Sequence, residues 1–139
     1  MRAGAEFLVS DVLEPLRQGR PARQRRWDWH EHRFLPHEDV QPAGLVVVEG
    51  CGALSRASRP LLDAAVWIDG DEAARRRRAG LRDGGDDWWE DWRAQEDAFY
   101  EAERSWELAD LRLDIDGPPA GLDARVSAVR EALAGEAAR

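Results

Sequence analysis

The sequence predicts an α/β fold that is built around a parallel sheet. Three observations predict it. Residues 45–48 form a continuous β-branched and leucine run of the kind found in strands that are buried on both faces. Two further apolar runs of this kind lie at residues 63–71 and 109–116. Helical patterns separate those two runs, and strands that alternate with helices are typical of a parallel sheet covered by helices.

The remaining elements follow from periodicity and from turn signals. Apolar residues at near-helical spacing predict a first helix, which Pro15 should kink or end and which Gly19 and Pro21 stop. Alternation predicts a strand or hairpin further along, and "GPPAG" at 117–121 marks a break. In chain order these elements are a helix over 3–17, a strand or hairpin over 25–35, an arginine-rich helix within 71–87, a helix over about 86–107 and a helix over 121–134.

Composition limits the classes of function. The chain has 139 residues, 43% of them hydrophobic and 35% charged, which is ordinary for a globular domain rather than a disordered one. No apolar run reaches the length of a membrane helix, and no secretory signal is visible, so we expect a cytoplasmic protein that does not bind membranes. The pI of about 4.9 argues against nucleic acid as a partner. Cys51 is the single cysteine, so no intramolecular disulfide can form, and we expect it to be a small buried residue.

Arginine supplies all 20 basic residues, and four of them are consecutive, at 75–78. Two interpretations are open. The run can be a solvated helix face that is paired with neighbouring carboxylates, or it can hold phosphate, because the guanidinium group binds phosphate oxygens bidentately. Helical spacing places Arg75, Arg78 and Arg82 on one face, while Arg76 and Arg77 turn toward solvent or acidic neighbours.

Four motifs occur in a characteristic order. "WDWHEH" contains Trp27, Asp28, Trp29 and His32. The run "LVVVEG" ends with Glu49. "VWIDGDEAARRRRAGLRD" contains Arg75, Arg78, Arg82 and Asp83, and "ADLRLD" follows near the end. In this order the motifs resemble the uridine kinase-like branch of P-loop nucleoside kinases, over residues 7–116.

The resemblance implies a three-layer parallel sheet of P-loop kinase type. It implies that Arg75, Arg78 and Arg82 belong to a catalytic lid over the phosphates of ATP. It also implies that Glu49 assists Mg²⁺, directly or through water. The residues that it places on the side of a small nucleoside or similar hydroxyl acceptor are Trp27, Asp28, Trp29 and His32. Two alternatives stay open beside these roles, since tryptophans are often core residues and Glu49 can cap a loop.

The family's N-terminal portion, a strand, a Walker A loop, a helix and a second strand, has no counterpart here, and the chain has no lysine. We therefore expect Met1 to be an internal start. We also expect residues 1–139 to form a single partial kinase-like domain, with the hairpin at 25–35, the lid at 71–87 and a C-terminal helix at 121–134. The predicted function is the C-terminal portion of an ATP-dependent nucleoside kinase that is inactive without its P-loop. The alternative is a non-catalytic phosphate-binding remnant or an interaction protein.

Overall fold

The computed structural model describes residues 1–28 and 31–116, together with Ser127 and Glu131. The chain divides into two compact units, Met1–Leu61 and Leu62–Arg139. Each unit is described below by itself. Apart from Ser127 and Glu131, which are helical, the predicted helix at 121–134 lies outside the described residues.

The predicted three-layer parallel sheet is wrong. The strands of the described residues form three separate two-stranded sheets, of which two are antiparallel and one is parallel. The physical reason lies in residues 45–48, which form no strand and therefore give the parallel pair no third neighbour. A buried sheet needs at least that neighbour before helices can cover it on both faces.

The first unit opens with a helical segment that agrees with the prediction for residues 3–17. Helix α1 spans Arg2–Phe7, a π-helical turn spans Leu8–Leu13, and helix α2 spans Glu14–Arg17. Pro15 has no N–H to donate to the preceding turn, and the wider π turn ahead of it lets the helix continue. The segment ends as predicted at Gly19, whose φ of 68° is left-handed.

Four short strands complete the regular structure of this unit. Strand β1, Ala22–Gln24, pairs antiparallel with β4, Glu38–Val40. Strand β2, Trp27–Asp28, pairs antiparallel with β3, Arg33–Phe34, which confirms a hairpin within 25–35. The buried side chains of this unit include Ala5, Val12, Leu13 and Ala22.

Residues 45–48 have an environment opposite to the predicted one. Leu45, Val46 and Val47 are 70%, 40% and 76% exposed, so the predicted buried strand is replaced by an irregular apolar stretch on the surface. The chain downstream is more tightly fixed, because Ser55 and Ser58 are buried and each backbone N–H donates to the other's hydroxyl, at 2.8 and 3.1 Å. A one-turn 3₁₀ helix, Arg59–Leu61, ends the unit.

The second unit contains a parallel strand pair and two helices. Strand β5, Val66–Asp69, pairs with β6, Leu111–Asp114, so the two predicted strands form, but the predicted burial on both faces is wrong, because no residue of either strand is buried. Helix α3, Glu72–Asp83, and helix α4, Trp89–Glu103, connect them, and a 3₁₀ turn at Ser105–Glu107 leads into β6. A parallel pair requires such a crossover, because the chain must return to the starting end of the sheet.

The core of this unit is aromatic. Trp89 and Phe99, both on α4, are buried, and Trp89 contacts the rings of Trp88 and Trp92 at centroid distances of 5.8 and 5.3 Å. These three tryptophans therefore pack against each other. Among the described residues, no helix is long and apolar enough to cross a membrane.

Candidate functional site

The arginine-rich helix α3 has well-defined ends. Asp71 caps its first turn by accepting a hydrogen bond from the Ala74 N–H at 2.9 Å. Gly84 ends it with a φ of 77°, a left-handed conformation that costs glycine little. The helix that carries the five arginines therefore begins and ends at defined residues.

Arg75, the first predicted lid residue, points into the unit. Its Nη1 lies 3.1 Å from Oε2 of Glu96, a residue of α4 that is only 2% exposed. Its guanidinium carbon lies 5.9 Å from the centroid of the Trp89 ring. Arg75 thus compensates the charge of a buried carboxylate, which would be costly to leave unpaired.

Arg76 joins α3 to the start of α4. Its Nε lies 2.5 Å from an Asp86 carboxylate oxygen, and its Nη1 lies 2.7 Å from Glu90. The hydrogen bond to Asp86 is the main reason that the pKa of Arg76 is raised above its ordinary value. Arg93 makes the reciprocal link, since its Nε lies 3.1 Å from Glu72.

The other two predicted lid residues also lie beside carboxylates. Arg78 Nη1 is 3.6 Å from Asp116, and Asp116 in turn accepts a hydrogen bond from the Asp71 N–H. Arg82 binds both carboxylate oxygens of Asp83, at 2.6 and 2.8 Å. That hydrogen bonding lowers the pKa of Asp83.

The structure therefore does not gather Arg75, Arg78 and Arg82 around a common point. Each of them has a carboxylate partner of the same chain, as the solvated-face interpretation proposed. A phosphate would have to compete with those carboxylates for the guanidinium groups. The catalytic role of the three arginines stays a prediction.

The predicted acceptor-side residues lie in the other unit, on the β2–β3 hairpin. The Trp27 ring contacts the Phe34 ring edge to face, with 4.8 Å between centroids, and is 37% exposed. Asp28 accepts a hydrogen bond from the Glu31 N–H at 3.0 Å, which fixes the turn. His32 is exposed and has a left-handed φ of 47°. Trp29 lies outside the described residues.

Glu49, the predicted magnesium ligand, is exposed and follows no strand. In the part of the chain that the structure describes, no group of three or more histidine, cysteine, aspartate or glutamate side chains could hold a metal ion. The role of Glu49 in assisting Mg²⁺ stays a prediction. Cys51, predicted to be buried, is exposed.

Two features were not predicted as sites. The first is the exposed apolar stretch 45–48, hereafter the apolar segment. The second is a cleft of about 520 Å³ in the second unit, hereafter the aromatic cleft. Its lining residues are Trp67, Asp97, Tyr100, Glu101, Arg104 and Trp106.

Three aromatic rings contact one another in the lining of the aromatic cleft. The Trp67 ring on β5 stands nearly perpendicular to that of Tyr100, with 4.8 Å between centroids, and to that of Trp106, at 6.4 Å. All three rings are only partly buried. Two sequence signals point to this cleft. Asp97, Tyr100 and Glu101 share one face of α4 by spacing, and Trp67 lies in a strand whose crossover consists of α3 and α4.

Comparison with known proteins yields neither a protein-family model that matches the chain nor a curated protein that matches it.

Proposed function

We propose that the chain is a non-catalytic interaction protein, which binds an extended strand of another protein through the apolar segment. The observation that carries this proposal is the exposure of Leu45, Val46 and Val47. Three consecutive large apolar side chains on a surface are unusual, and contiguous apolar patches often mark interaction sites.

The backbone of the apolar segment supports the same conclusion. Among the described residues, no backbone hydrogen bond is made by residues 45–48, so their N–H and C=O groups remain free to pair with a strand from outside. Strand addition of this kind draws its affinity from main-chain hydrogen bonds and its specificity from alternating side-chain pockets. Valine, which supplies three of the four residues, also has a high preference for the extended conformation that pairing requires.

The flanks leave the apolar segment accessible. Gly44 precedes it, and Gly50, with a φ of 133°, follows Glu49. Proteins usually protect exposed strand edges with charges, prolines or bulges within the strand. The apolar segment carries none of these between Leu45 and Val48, which agrees with a surface that a partner covers.

The kinase function remains a prediction, and two observations weigh against it. The sheet that it requires is not the sheet that the described residues form. The arginines that it would use to hold ATP are bonded to carboxylates of the same chain. A binding protein needs neither feature.

Site-specific photo-crosslinking tests the proposal. A photoreactive amino acid is placed at Val47 and, as a matched control, at the exposed Gln41. The full chain is then irradiated in cells that produce it. We expect one discrete product from position 47 and none from position 41, and we expect Leu45→Asp to abolish the product. Peptide mapping should locate the crosslink in an extended segment of the partner.

Three results would contradict the proposal. Equal products from both positions would indicate non-specific contact. A product that survives Leu45→Asp would place the contact outside the apolar segment. A product that contains two copies of this chain would assign the segment to self-association instead.

A further inference from the structure

The aromatic cleft has the size of a binding site for a small group. Its volume of about 520 Å³ falls within the range of roughly 300–1,000 Å³ that is typical of ligand sites. It lies entirely within the second unit, so its geometry does not depend on the apolar segment or on the proposed function.

The three aromatic rings form walls of the cleft and do not fill it. Trp67 meets Tyr100 at an interplanar angle of 81° and Trp106 at 71°. Rings that meet edge to face leave part of their faces uncovered, and the partial burial of all three rings agrees with this. The face of an aromatic ring carries negative potential and attracts cations.

The charged residues of the lining add to that potential. Asp97 and Glu101 contribute two carboxylates, against a single guanidinium from Arg104. Arg104 is already bonded to the carboxylate of Glu107, so much of its charge is compensated locally. Asp97 is likewise paired with Arg93, at 3.5 Å, so the lining carboxylate that the described ion pairs do not include is Glu101. The chain as a whole has a net charge of −8, which further favours a positive ligand.

These features distinguish between ligand classes. A phosphate or carboxylate ligand would be repelled by the carboxylates of Asp97 and Glu101. A primary ammonium is strongly hydrated and needs several hydrogen-bond acceptors. A trimethylammonium group has no N–H to satisfy, spreads its charge over methyl groups, and fits aromatic walls with carboxylates at the rim.

We propose that the aromatic cleft binds a trimethylammonium group, with Trp67, Tyr100 and Trp106 as the walls and with Asp97 and Glu101 as the attracting charges. The group can be presented by a trimethylated lysine side chain of another protein or by a free choline-like molecule. The chemistry of recognition is the same for both sources.

Titration calorimetry with the full chain tests the proposal. The probes are choline and its uncharged isostere, in which a tert-butyl group replaces trimethylammonium. We expect choline to bind about tenfold more tightly than the isostere, because only choline gains the cation–π attraction. Equal affinities, or no saturable binding of either probe, would overturn the proposal.

Variants locate the site. Trp106→Ala should weaken choline binding about tenfold, and Glu101→Gln, which keeps the side-chain volume, should weaken it about threefold. Trp88→Ala is the matched control, because Trp88 is partly exposed but does not line the cleft, and it should leave the affinity unchanged. If circular dichroism shows that Trp106→Ala is unfolded, the choline affinity of Glu101→Gln alone tests the assignment. Unchanged affinity in that variant contradicts the assignment.

A second pair of probes distinguishes the two sources. A peptide with trimethyllysine is compared with the same peptide carrying unmodified lysine. Tighter binding of the methylated peptide than of choline assigns the cleft to a modified protein partner. Tighter binding of choline assigns it to a free small molecule. A peptide preference for unmodified lysine would overturn the proposal.

Discussion

Residues 45–48 and residues 75–78 are both runs of four similar side chains, and they have opposite environments. The apolar segment is largely exposed, with no backbone pairing among the described residues. The arginine run is partly enclosed, and Arg75, Arg76 and Arg78 each have a carboxylate partner in the second unit.

The difference shows that a run of similar side chains is enclosed only where neighbouring elements of the same unit supply groups that can pair with it. Helix α4 supplies the arginines with Glu90 and Glu96, and the segment after β6 supplies Asp116. The apolar segment has no neighbouring strand among the described residues. Charge is therefore compensated inside the second unit, while apolar surface is left available on the first.

The largest expected effect contrasts two valines of the first unit. Val12→Asp puts a charge into a buried site and should lower the free energy of unfolding by more than about 3 kcal/mol. Val47→Asp changes an exposed residue and should alter it by no more than about 0.5 kcal/mol. Native-state hydrogen exchange of residues 1–61 measures both. A large loss for Val47→Asp would mean that the apolar segment is buried in solution.

An intermediate effect is expected at the buried end of the arginine network. Glu96→Ala removes the partner of Arg75, which is itself only partly exposed, and should cost about 2–3 kcal/mol of unfolding free energy. Glu101→Ala, on the exposed side of the same helix, is the control and should cost at most about 0.5 kcal/mol. Urea unfolding gives both values. Similar values for the two variants would show that the ion pair between Arg75 and Glu96 contributes little to stability.

The smallest effect concerns the exposed end of the same network. Hydrogen bonding from Arg82 lowers the pKa of Asp83, so the pair stabilises the folded chain above the ordinary aspartate pKa and loses that contribution as pH falls through the lowered value. Arg82→Gln should raise the pKa of Asp83 toward its ordinary value, as followed by carboxyl NMR. Arg77→Gln is the control, because the described ion pairs do not include Arg77. An unchanged Asp83 pKa in Arg82→Gln would mean that the pair does not persist in solution.

Local signals in the sequence predict much of the secondary structure. Gly19 ends the first helical segment and Asp71 caps α3, and both act through interactions within a few residues. The strands at 66–69 and 111–114 lie in predicted apolar runs, and they pair with each other. The run at 45–48 looks the same in the sequence, because periodicity does not show whether a neighbouring strand exists.

The candidate sites depend on longer-range contacts, which a single sequence does not reveal. Arg75 and Glu96 are 21 positions apart, so the pairing of a predicted lid residue with a buried glutamate appears only once α3 and α4 pack. The aromatic cleft likewise requires β5 to lie against α4. Its tryptophans look like core residues in the sequence, and only their partial exposure distinguishes them.

The sequence separations of the contacts in the second unit predict an order of folding events. Ion pairs between α3 and α4 join residues 14 to 21 positions apart, whereas Ala65 donates its N–H to Asp110 across 45 positions. Closing the shorter loops costs less entropy, so the two helices can associate before β6 returns to β5. In this order Trp67 and Trp106 would meet when β6 returns to β5. A change in the chain's tryptophan fluorescence should therefore accompany the slowest phase of refolding, and Trp106→Phe should reduce that change.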